Sequence, residues 1–183
     1  MIDISNLSLK LGDKQLFSDY SVSIPDRGVV MISGESGVGK TTLLRIICGL
    51  QKPDSGSIKG LSDRKISIVF QEARLLNHLT AIENVSLVSD KETAERLLRK
   101  LNMENEMHMK AGKLSGGQKQ RVSLARAFAF SGDIVLLDEP FTGLDTENKQ
   151  KAVQLIRTAK LAIVVSHDSY DADLLKTDEK IQL

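Results

Sequence analysis

The stretch VVMISGESGVGKTTLLRIIC, which runs from Val29 to Cys48, decides the fold of this chain. It opens with a continuous apolar run, the pattern of a parallel strand that helices cover on both faces. A glycine-rich loop follows and fits the pattern G-x-x-x-x-G-K-[ST] of phosphate-binding loops. The residues from Thr41 to Cys48 are then predicted to form a helix that ends at Gly49. The loop itself consists of Gly34, Glu35, Ser36, Gly37, Val38, Gly39, Lys40 and Thr41.

This loop has the residue types that phosphate binding requires. Its glycines let successive backbone N–H groups turn inward onto phosphate oxygens, and the following helix adds the positive end of its dipole. We expect the ammonium group of Lys40 to reach the β- and γ-phosphates of a nucleotide. We expect the hydroxyl group of Thr41 to bind Mg²⁺.

The hydrophobic pattern elsewhere predicts two kinds of sheet. Continuous apolar runs recur at 66–70, 134–137 and 161–165, and they indicate parallel strands in a central sheet. Residues 2–24 instead alternate between apolar and polar, which is typical of antiparallel strands with one wet face. The sequence therefore predicts an α/β fold with a mainly parallel central sheet and an N-terminal antiparallel part.

The middle of the chain has a helical pattern. The segments Thr80–Glu83 and Ser89–Glu92 both fit the capping box that opens a helix. After the second segment, four apolar residues fall at the spacing of one helix face. They are Ala94, Leu97, Leu98 and Leu101.

Two adjacent carboxylates, Asp138 and Glu139, follow the apolar run at 134–137 and precede Pro140. A carboxylate at the end of a parallel strand, facing a phosphate loop, suits a Mg²⁺ ion held through water, and we assign this role to Asp138. Taken alone, such a pair is commonly a solvated surface charge, and the residues themselves leave that alternative open.

The run LSGGQ, from Leu114 to Gln118, predicts a second helix start that can bind an anion. Here the hydroxyl group of Ser115 and the glycine amides are expected to open a helix that extends through Arg121 to Phe130. The phosphate loop, LSGGQ and the acidic strand end, in this order, resemble the ATP-binding subunit of ABC (ATP-binding cassette) transporters.

The resemblance implies a single P-loop NTPase domain with ATP and Mg²⁺ as cofactors. Its antiparallel part would span about 1–28 and its nucleotide-binding core about 29–71 and 119–183. A short helical subdomain at about 72–118 would end in the LSGGQ signature motif. The active unit would be a head-to-tail homodimer, or a pair with another ABC subunit, that ATP holds together and hydrolysis separates.

The same resemblance assigns roles to individual residues. Thr42 would bind the α-phosphate, and Glu139 would be the general base that polarises the attacking water. Gln71 would bind Mg²⁺ or the water, and His167 would donate a hydrogen bond to the γ-phosphate. Asp145 would meet the opposite subunit. The signature residues that close over the opposite ATP would be Ser115, Gly116, Gly117 and Gln118.

One position departs from the family. An aromatic residue usually stacks on adenine just before the first turn, and this chain has Leu11 at that position. Leucine can cover the face of a ring but lacks the π contribution. We therefore expect weaker discrimination between bases, with GTP competing better than usual. Phe17 and Tyr20 lie nearby, but their positions indicate the interior of a strand.

Composition narrows the possible classes of protein. The chain has 183 residues and a net charge of +1, so nothing indicates a nucleic-acid surface. The single cysteine, Cys48, excludes an internal disulfide, and neither a secretory signal nor a membrane-spanning apolar run is evident. We expect a cytoplasmic protein, held at the inner face of the cell membrane through a partner permease.

Four functions remain open. The sequence of residues 69–85 is similar to that of bacterial importer ATPases. The partners of such ATPases are transmembrane permease subunits and, in the complex, a solute-binding protein. Small exporters and lipoprotein-release ATPases have a similar sequence in this segment. A non-transport ABC ATPase is disfavoured because the chain lacks long coiled coils, a second cassette and a basic charge excess. A module that binds ATP without hydrolysing it is disfavoured by the presence of Lys40, Asp138, Glu139 and His167.

Overall fold

A computed structural model describes residues 1–168 and 170–183, with residue 169 represented in its backbone course alone. The strands are β1 (Ile2–Leu11), β2 (Lys14–Ile24), β3 (Gly28–Ser33), β4 (Ser55–Lys59), β5 (Ile66–Val69), β6 (Ile134–Asp138), β7 (Leu161–Val165) and β8 (Glu179–Gln182). The helices are α1 (Lys40–Ile47), α2 (Ala81–Ser86), α3 (Lys91–Lys100), α4 (Gly116–Ala129), α5 (Thr146–Ile156) and α6 (Ser169–Leu175), with a 3₁₀ turn at Ala111–Lys113.

The central sheet is parallel throughout, in the order β5-β6-β7-β3-β8. The continuous apolar runs form its strands, as predicted, because both of its faces are covered. Along β3, Val29 and Met31 pack with the helices of one face, whereas Val30 and Ile32 pack with α1 and the antiparallel sheet. Strand β8 was not predicted, because only Ile181 in this edge strand is buried.

The antiparallel sheet has the order β2-β1-β4. The predicted alternation is confirmed in β1, where Ile2, Ile4, Leu7 and Leu9 are buried. Strand β4 was not predicted, because its residues lack an alternating apolar pattern. Its backbone runs so close to β1 that a Cβ atom at Gly56 would lie 2.6 Å from the carbonyl oxygen of Asn6. In sequence, β4 falls within the segment 29–71 that we assigned to the nucleotide-binding core.

The helical part follows the sequence prediction with one exception. The capping box of Thr80 and Glu83 opens α2, as predicted. The second capping box is wrong: α3 begins one residue later, where Asp90 accepts a hydrogen bond from the backbone N–H of Thr93 at 2.7 Å. The hydroxyl group of Ser89 instead donates to the carbonyl oxygen of Val85. The apolar face is confirmed, with Ala94, Leu97, Leu98 and Leu101 all buried.

Two buried clusters, one on each face of the parallel sheet, fix the positions of the loops at its carboxyl edge. One cluster joins the sheet to α2, α3 and α4, and the other joins it to α1 and the antiparallel sheet. Among the described residues, no helix combines the length and apolarity that a membrane crossing requires. The loops after β3, β5, β6 and β7 meet at one edge, where parallel sheets bind ligands.

Candidate nucleotide-binding site

A cavity of about 640 Å³ lies at this edge of the parallel sheet. It brings together most of the residues that the sequence indicated, from segments that are far apart in the chain. Gly34, Glu35 and Val38 belong to the phosphate loop but do not line the cavity. The lining residues are Leu11, Lys14, Leu16, Ser36, Gly37, Gly39, Lys40, Thr41, Thr42, Gln71, Asp138, Glu139, Val165 and His167.

The phosphate loop has backbone angles that favour glycine. Gly34, Gly37 and Gly39 have φ angles of 151°, 76° and 117°. Residues that carry a side chain rarely adopt this backbone region. Helix α1 begins at Gly39 without a side-chain cap, so its first N–H groups point into the loop. The ammonium group of Lys40 donates to the carbonyl oxygens of Gly34 and Glu35, both at 2.8 Å. The loop thus encloses a positive charge at the positive end of a helix dipole.

Thr41 and Asp138 meet on the floor of the cavity. The hydroxyl group of Thr41 donates to both carboxylate oxygens of Asp138, at 3.0 and 2.8 Å. Asp138 is 3% exposed, and burial raises the pKa of its carboxyl group, while the bond from Thr41 acts in the opposite direction. A buried carboxylate beside a hydroxyl oxygen forms the kind of oxygen site that Mg²⁺ prefers. The residues present therefore fit the expected metal.

Glu139 is held in an unusual backbone conformation. Its φ angle is 49°, and its N–H donates to the carbonyl oxygen of Val165 at 2.9 Å. Non-glycine residues are uncommon in this left-handed region, and such strain concentrates at functional sites. The turn directs the Glu139 carboxylate to the Nδ1 atom of His167, 2.9 Å away. The sequence placed both residues in the site but did not predict that they contact each other.

This contact changes the acid–base behaviour of the histidine. The hydrogen bond to Glu139, and secondly the negative charge of that residue, raise the pKa of His167. The histidine side chain is 76% exposed, whereas the Glu139 side chain is 14% exposed. The imidazole therefore projects from the cavity wall while its carboxylate partner lies inside.

The base end of the cavity is apolar and has one cation that sequence reasoning missed. Leu11 is 44% exposed and lines the cavity together with Leu16. Lys14 donates from its ammonium group to the carbonyl oxygen of Gly37 at 2.8 Å, so β2 reaches the phosphate loop. Phe17 is buried in β2 and its ring lies behind Gly39, as expected for a strand interior. Only the placement of the antiparallel sheet beside the phosphate loop brings Lys14 to Gly37, 23 residues away in sequence, so no local signal could have found it.

The signature residues Ser115 to Gln118 do not line this cavity. They open α4, as predicted, but through a capping box that the sequence analysis did not identify. The hydroxyl group of Ser115 accepts from the N–H of Gln118 at 3.2 Å, and the Gln118 side chain accepts from the N–H of Ser115 at 2.8 Å. The S-x-x-Q spacing was the available signal.

The loop that contains Asp145 packs against the signature helix. A Cβ atom at Gly117 would lie 2.3 Å from the carbonyl oxygen of Gly143, whereas one at Gly116 would meet nothing within 4 Å. Asp145 caps α5, where its carboxylate accepts from the backbone N–H of Asn148 at 2.9 Å. That bond lowers the pKa of Asp145. The structure thus places Asp145 beside the signature motif and outside the cavity.

These features define a P-loop nucleotide-binding protein, and comparisons with known proteins identify the family. Residues 17–142 match the sequence profile of the family described as ABC transporter. The aliphatic sulfonates import ATP-binding protein SsuB of Zymomonas mobilis is 40% identical over 185 residues, covering 93% of this chain and 77% of that protein. The sulfate/thiosulfate import ATP-binding protein CysA of Escherichia coli K12 is 34% identical over 198 residues.

The chain spans little more than half the length of several curated relatives, 54% in the case of the E. coli protein. Solved structures match along its whole length. The dimeric post-hydrolysis structure of the ATP-binding cassette MJ0796, bound to ADP and Pi, superposes with a TM-score of 0.88 at 31% identity. It covers 100% of this chain and 94% of the solved one. The chain belongs to the ABC transporter family, as an ATP-binding subunit with the fold of an ATP-binding cassette.

Proposed function

We propose that this chain hydrolyses ATP in a head-to-tail dimer and thereby drives transport by a membrane permease. One observation carries the proposal. The phosphate loop, Asp138, Glu139, Gln71 and His167 line a single cavity, while the signature helix start lies outside it. A second copy of the chain would supply the missing signature motif to this cavity.

The phosphate-binding role of the loop rests on its charge and backbone geometry. Lys40 bonds two loop carbonyls and would exchange these bonds for β- and γ-phosphate oxygens. Thr42, which follows in α1 and lines the same cavity, would bind the α-phosphate. Thr41 and Asp138 would hold Mg²⁺ together with Gln71, directly or through water. When bound, Mg²⁺ neutralises the charge that develops on the phosphates.

Glu139 is positioned to act as the general base. Its side chain lies inside the cavity and beside His167, so it can accept a proton from a water molecule there. The contact occupies Nδ1 of His167 and leaves Nε2 available to donate to the γ-phosphate. A protonated imidazole donates from both nitrogens, and the raised pKa of His167 favours that form.

The dimer follows from the exposure of the signature start. Ser115 and Gly116 are exposed on the surface, where they can approach the nucleotide of another subunit. The MJ0796 cassettes, 31% and 32% identical to this chain, are dimeric, which supports association of two chains. ATP would join the subunits, and loss of the bridging γ-phosphate would let them part.

We infer an importer, because the SsuB and CysA relatives are import ATP-binding proteins. The partner would be a transmembrane permease, accompanied by a solute-binding protein, and the chain would lie at the inner face of the cell membrane. An exporter or lipid-extraction system is the competing assignment.

The test of hydrolysis is Glu139→Gln, which keeps the size of the side chain but removes the base. We expect turnover to fall by about 10²-fold or more, with ATP retained in a dimer that size-exclusion chromatography detects. Glu104→Gln is the matched control, because Glu104 is exposed and outside the cavity. Absence of turnover in the unmodified chain and in Glu139→Gln alike would indicate a module that binds ATP without hydrolysing it, whereas a measurable turnover that the substitution leaves unchanged would contradict the role of Glu139 as the base.

The test of transport uses Glu139→Gln as bait in native membranes with ATP and Mg²⁺. A multi-span permease among the co-purified proteins would support transport, and an accompanying solute-binding protein would support import. A permease recovered with an outer-membrane or periplasmic extraction component would favour export. Recovery of ribosomes, DNA or soluble partners alone would contradict the proposal.

A further inference from the structure

A buried polar network lies next to His167. The network lies outside the cavity that His167 lines. Asp171 in α6 is 3% exposed, and its Oδ2 atom accepts a hydrogen bond from the hydroxyl group of Ser166 at 2.6 Å. Its Oδ1 atom forms an ion pair with the ammonium group of Lys149 in α5. None of these three residues lines the cavity. A buried carboxylate costs free energy unless it is paired. Solvent exposure therefore does not account for this network, and its role lies in what it holds in place.

The network fixes the backbone on both sides of the histidine. Ser166 precedes His167, and its Oγ atom also accepts from the backbone N–H of Asp168 at 3.1 Å. The N–H of Asp171 in turn donates to the carbonyl oxygen of Asp168 at 3.1 Å. Because the imidazole is 76% exposed, packing contributes little to its direction. The direction of the ring therefore depends on two things: its contact with Glu139 and the backbone that the network holds.

Lys149 connects this loop to another part of the molecule. Its side chain is 19% exposed, and its ammonium group lies 5.3 Å from the ring centre of Phe141 and 5.6 Å from that of Tyr170. It also lies 3.8 Å from Asp168. An ammonium group between two rings and two carboxylates has little freedom to move. The start of α5 and the His167 loop are thus held together.

The opposite side of α5 contacts the signature helix. Asn148, the neighbour of Lys149, accepts from the guanidinium group of Arg121 in α4 at 3.0 Å. The amide group of Asn148 donates to Asp145 at 2.8 Å. Two adjacent residues of α5 therefore make both contacts. Asn148 bonds the signature helix, and Lys149 bonds the His167 loop.

We propose that Lys149 and Asp171 are positioning residues for His167, and that through them α5 couples the signature helix to the histidine. The coupling rests on the proposed function, in which the signature helix binds the partner's nucleotide. A shift of α4 on binding that nucleotide would move Asn148, and with it Lys149 and the loop. His167 would thus respond, within its own subunit, to the occupation of the opposite site.

The first experiment is Asp171→Asn in the full chain, which keeps the shape of the side chain and removes the charge. We expect kcat for ATP hydrolysis to fall about tenfold or more through misplacement of His167, while KM for ATP changes little. Asp171→Glu should restore part of the lost rate, because it restores the charge. The matched control is Asp173→Asn, on the same helix, whose carboxylate is 79% exposed and pairs with Lys180 at 3.6 Å. The control should leave both constants unchanged.

A second readout follows the histidine directly. The chain has three histidines, so the imidazole NMR signals can be assigned through loss of one in His167→Gln. Asp171→Asn and Lys149→Gln should each shift the His167 signals and leave those of His78 and His108 in place. If Asp171→Asn does not fold, Lys149→Gln carries the same test, because it retains the bond between Ser166 and Asp171.

Two outcomes would overturn the proposal. One is an unchanged His167 signal in both variants. The other is a rate loss that only follows the folded fraction measured by thermal unfolding, which would make the network purely structural. If the unmodified chain hydrolyses no ATP, the proposed function fails, but the NMR shifts still decide whether Lys149 and Asp171 position His167.

Discussion

Helices α1 and α4 both begin at glycine-rich segments, but their first N–H groups are satisfied in different ways. Helix α1 begins at Gly39 without a side-chain cap, whereas α4 begins at Ser115 with a complete capping box. The first N–H groups of α1 are thus free of side-chain caps and available to a ligand or to water, while α4 is stabilised by its own side chains. A binding site that is permanently part of the fold can remain open. In the proposed dimer, the start of α4 would meet its ligand only when two chains associate, and its own cap would stabilise it until then.

The two starts also differ in their surroundings. Lys40 at the start of α1 is 8% exposed, and Leu43 and Leu44 behind it are fully buried. Ser115 and Gly116 at the start of α4 are exposed. The core therefore fixes the geometry of the first site, and a neighbouring loop at Gly143 supports the second.

Removal of the Lys40 ammonium group is expected to have the largest effect on the difference in ATP binding between the two helix starts. Lys40→Ala should weaken ATP binding to the isolated chain by about 10- to 100-fold, because bonds from a charged donor contribute about 1.5–3 kcal/mol. Ser115→Ala should leave binding to the isolated chain unchanged. Equilibrium binding of a fluorescent ATP analogue measures both. Equal losses in the two variants would show that both starts bind the same nucleotide in one subunit.

The next effect concerns the loop that supports α4. Gly117→Ala should destabilise the chain by about 1–3 kcal/mol and lower turnover, because its Cβ atom would meet the Gly143 carbonyl oxygen at 2.3 Å. Gly116→Ala is the matched control, since nothing lies within 4 Å of its Cβ position. Thermal unfolding compares the two, and the ATPase assay is applied to Gly117→Ala against the unmodified chain, because Gly116 itself belongs to the signature motif. If both substitutions are tolerated equally, the backbone around Gly143 moves to admit the added Cβ atom without loss of stability.

The capping box itself should have a smaller effect. Ser115→Ala should lower the free energy of unfolding by about 1 kcal/mol, because the N–H of Gln118 loses its acceptor. Ser115→Asn should retain most of that stability, since asparagine is a good cap. Urea denaturation measures the difference. A neutral Ser115→Ala would indicate that the cap is formed by water as well as by the side chain.

The α1 site should also show a charge effect that α4 lacks. The pKa of His167 should lie above its usual value of about 6.5, and Glu139→Gln should lower it. The tighter proton binding stabilises the folded chain fully below the unfolded pKa, and this contribution is lost as pH rises through the folded pKa. NMR titration measures the shift, and Glu104→Gln should not affect it. An identical titration in Glu139→Gln would exclude the contact in solution.

The smallest effect lies at the base end of the cavity. Leu11→Tyr should strengthen ATP binding about two- to tenfold, because stacking of an aromatic ring contributes about 0.5–1.5 kcal/mol. Leu50→Tyr, at a surface position that is 61% exposed, is the control. Competition between ATP and GTP tests the expectation for the unmodified chain. A preference for ATP of about a hundredfold or more would contradict weak base discrimination.

Sequence patterns predicted strands best where a strand is covered on both faces. The runs that became β3, β6 and β7 were predicted because burial on both faces requires apolar residues along the strand, and β5 was predicted from its apolar run although it lies at a sheet edge. Strands β4 and β8 were missed because almost none of their side chains are buried, so neither has an apolar pattern. The start of α3 was misplaced by one residue, since Ser89 and Asp90 are both good caps and only their contacts distinguish them.

Local sequence patterns were sufficient to identify the family, the phosphate loop and most of the residues that line the cavity. These features depend on local chemistry: glycine where the backbone must turn, lysine and threonine at fixed positions in the loop, and carboxylates where a buried strand ends. The same chemistry indicated that the LSGGQ segment opens a helix.

Which of these residues meet depends on tertiary packing. The ion pair of Glu139 with His167, the bond of Lys14 to the phosphate loop and the network of Asp171 each join segments from different strands or helices. Their geometry depends on the register of β6 against β7 and on the packing of α5 and α6. Such contacts arise from the summed packing of the core, which no short stretch of sequence encodes.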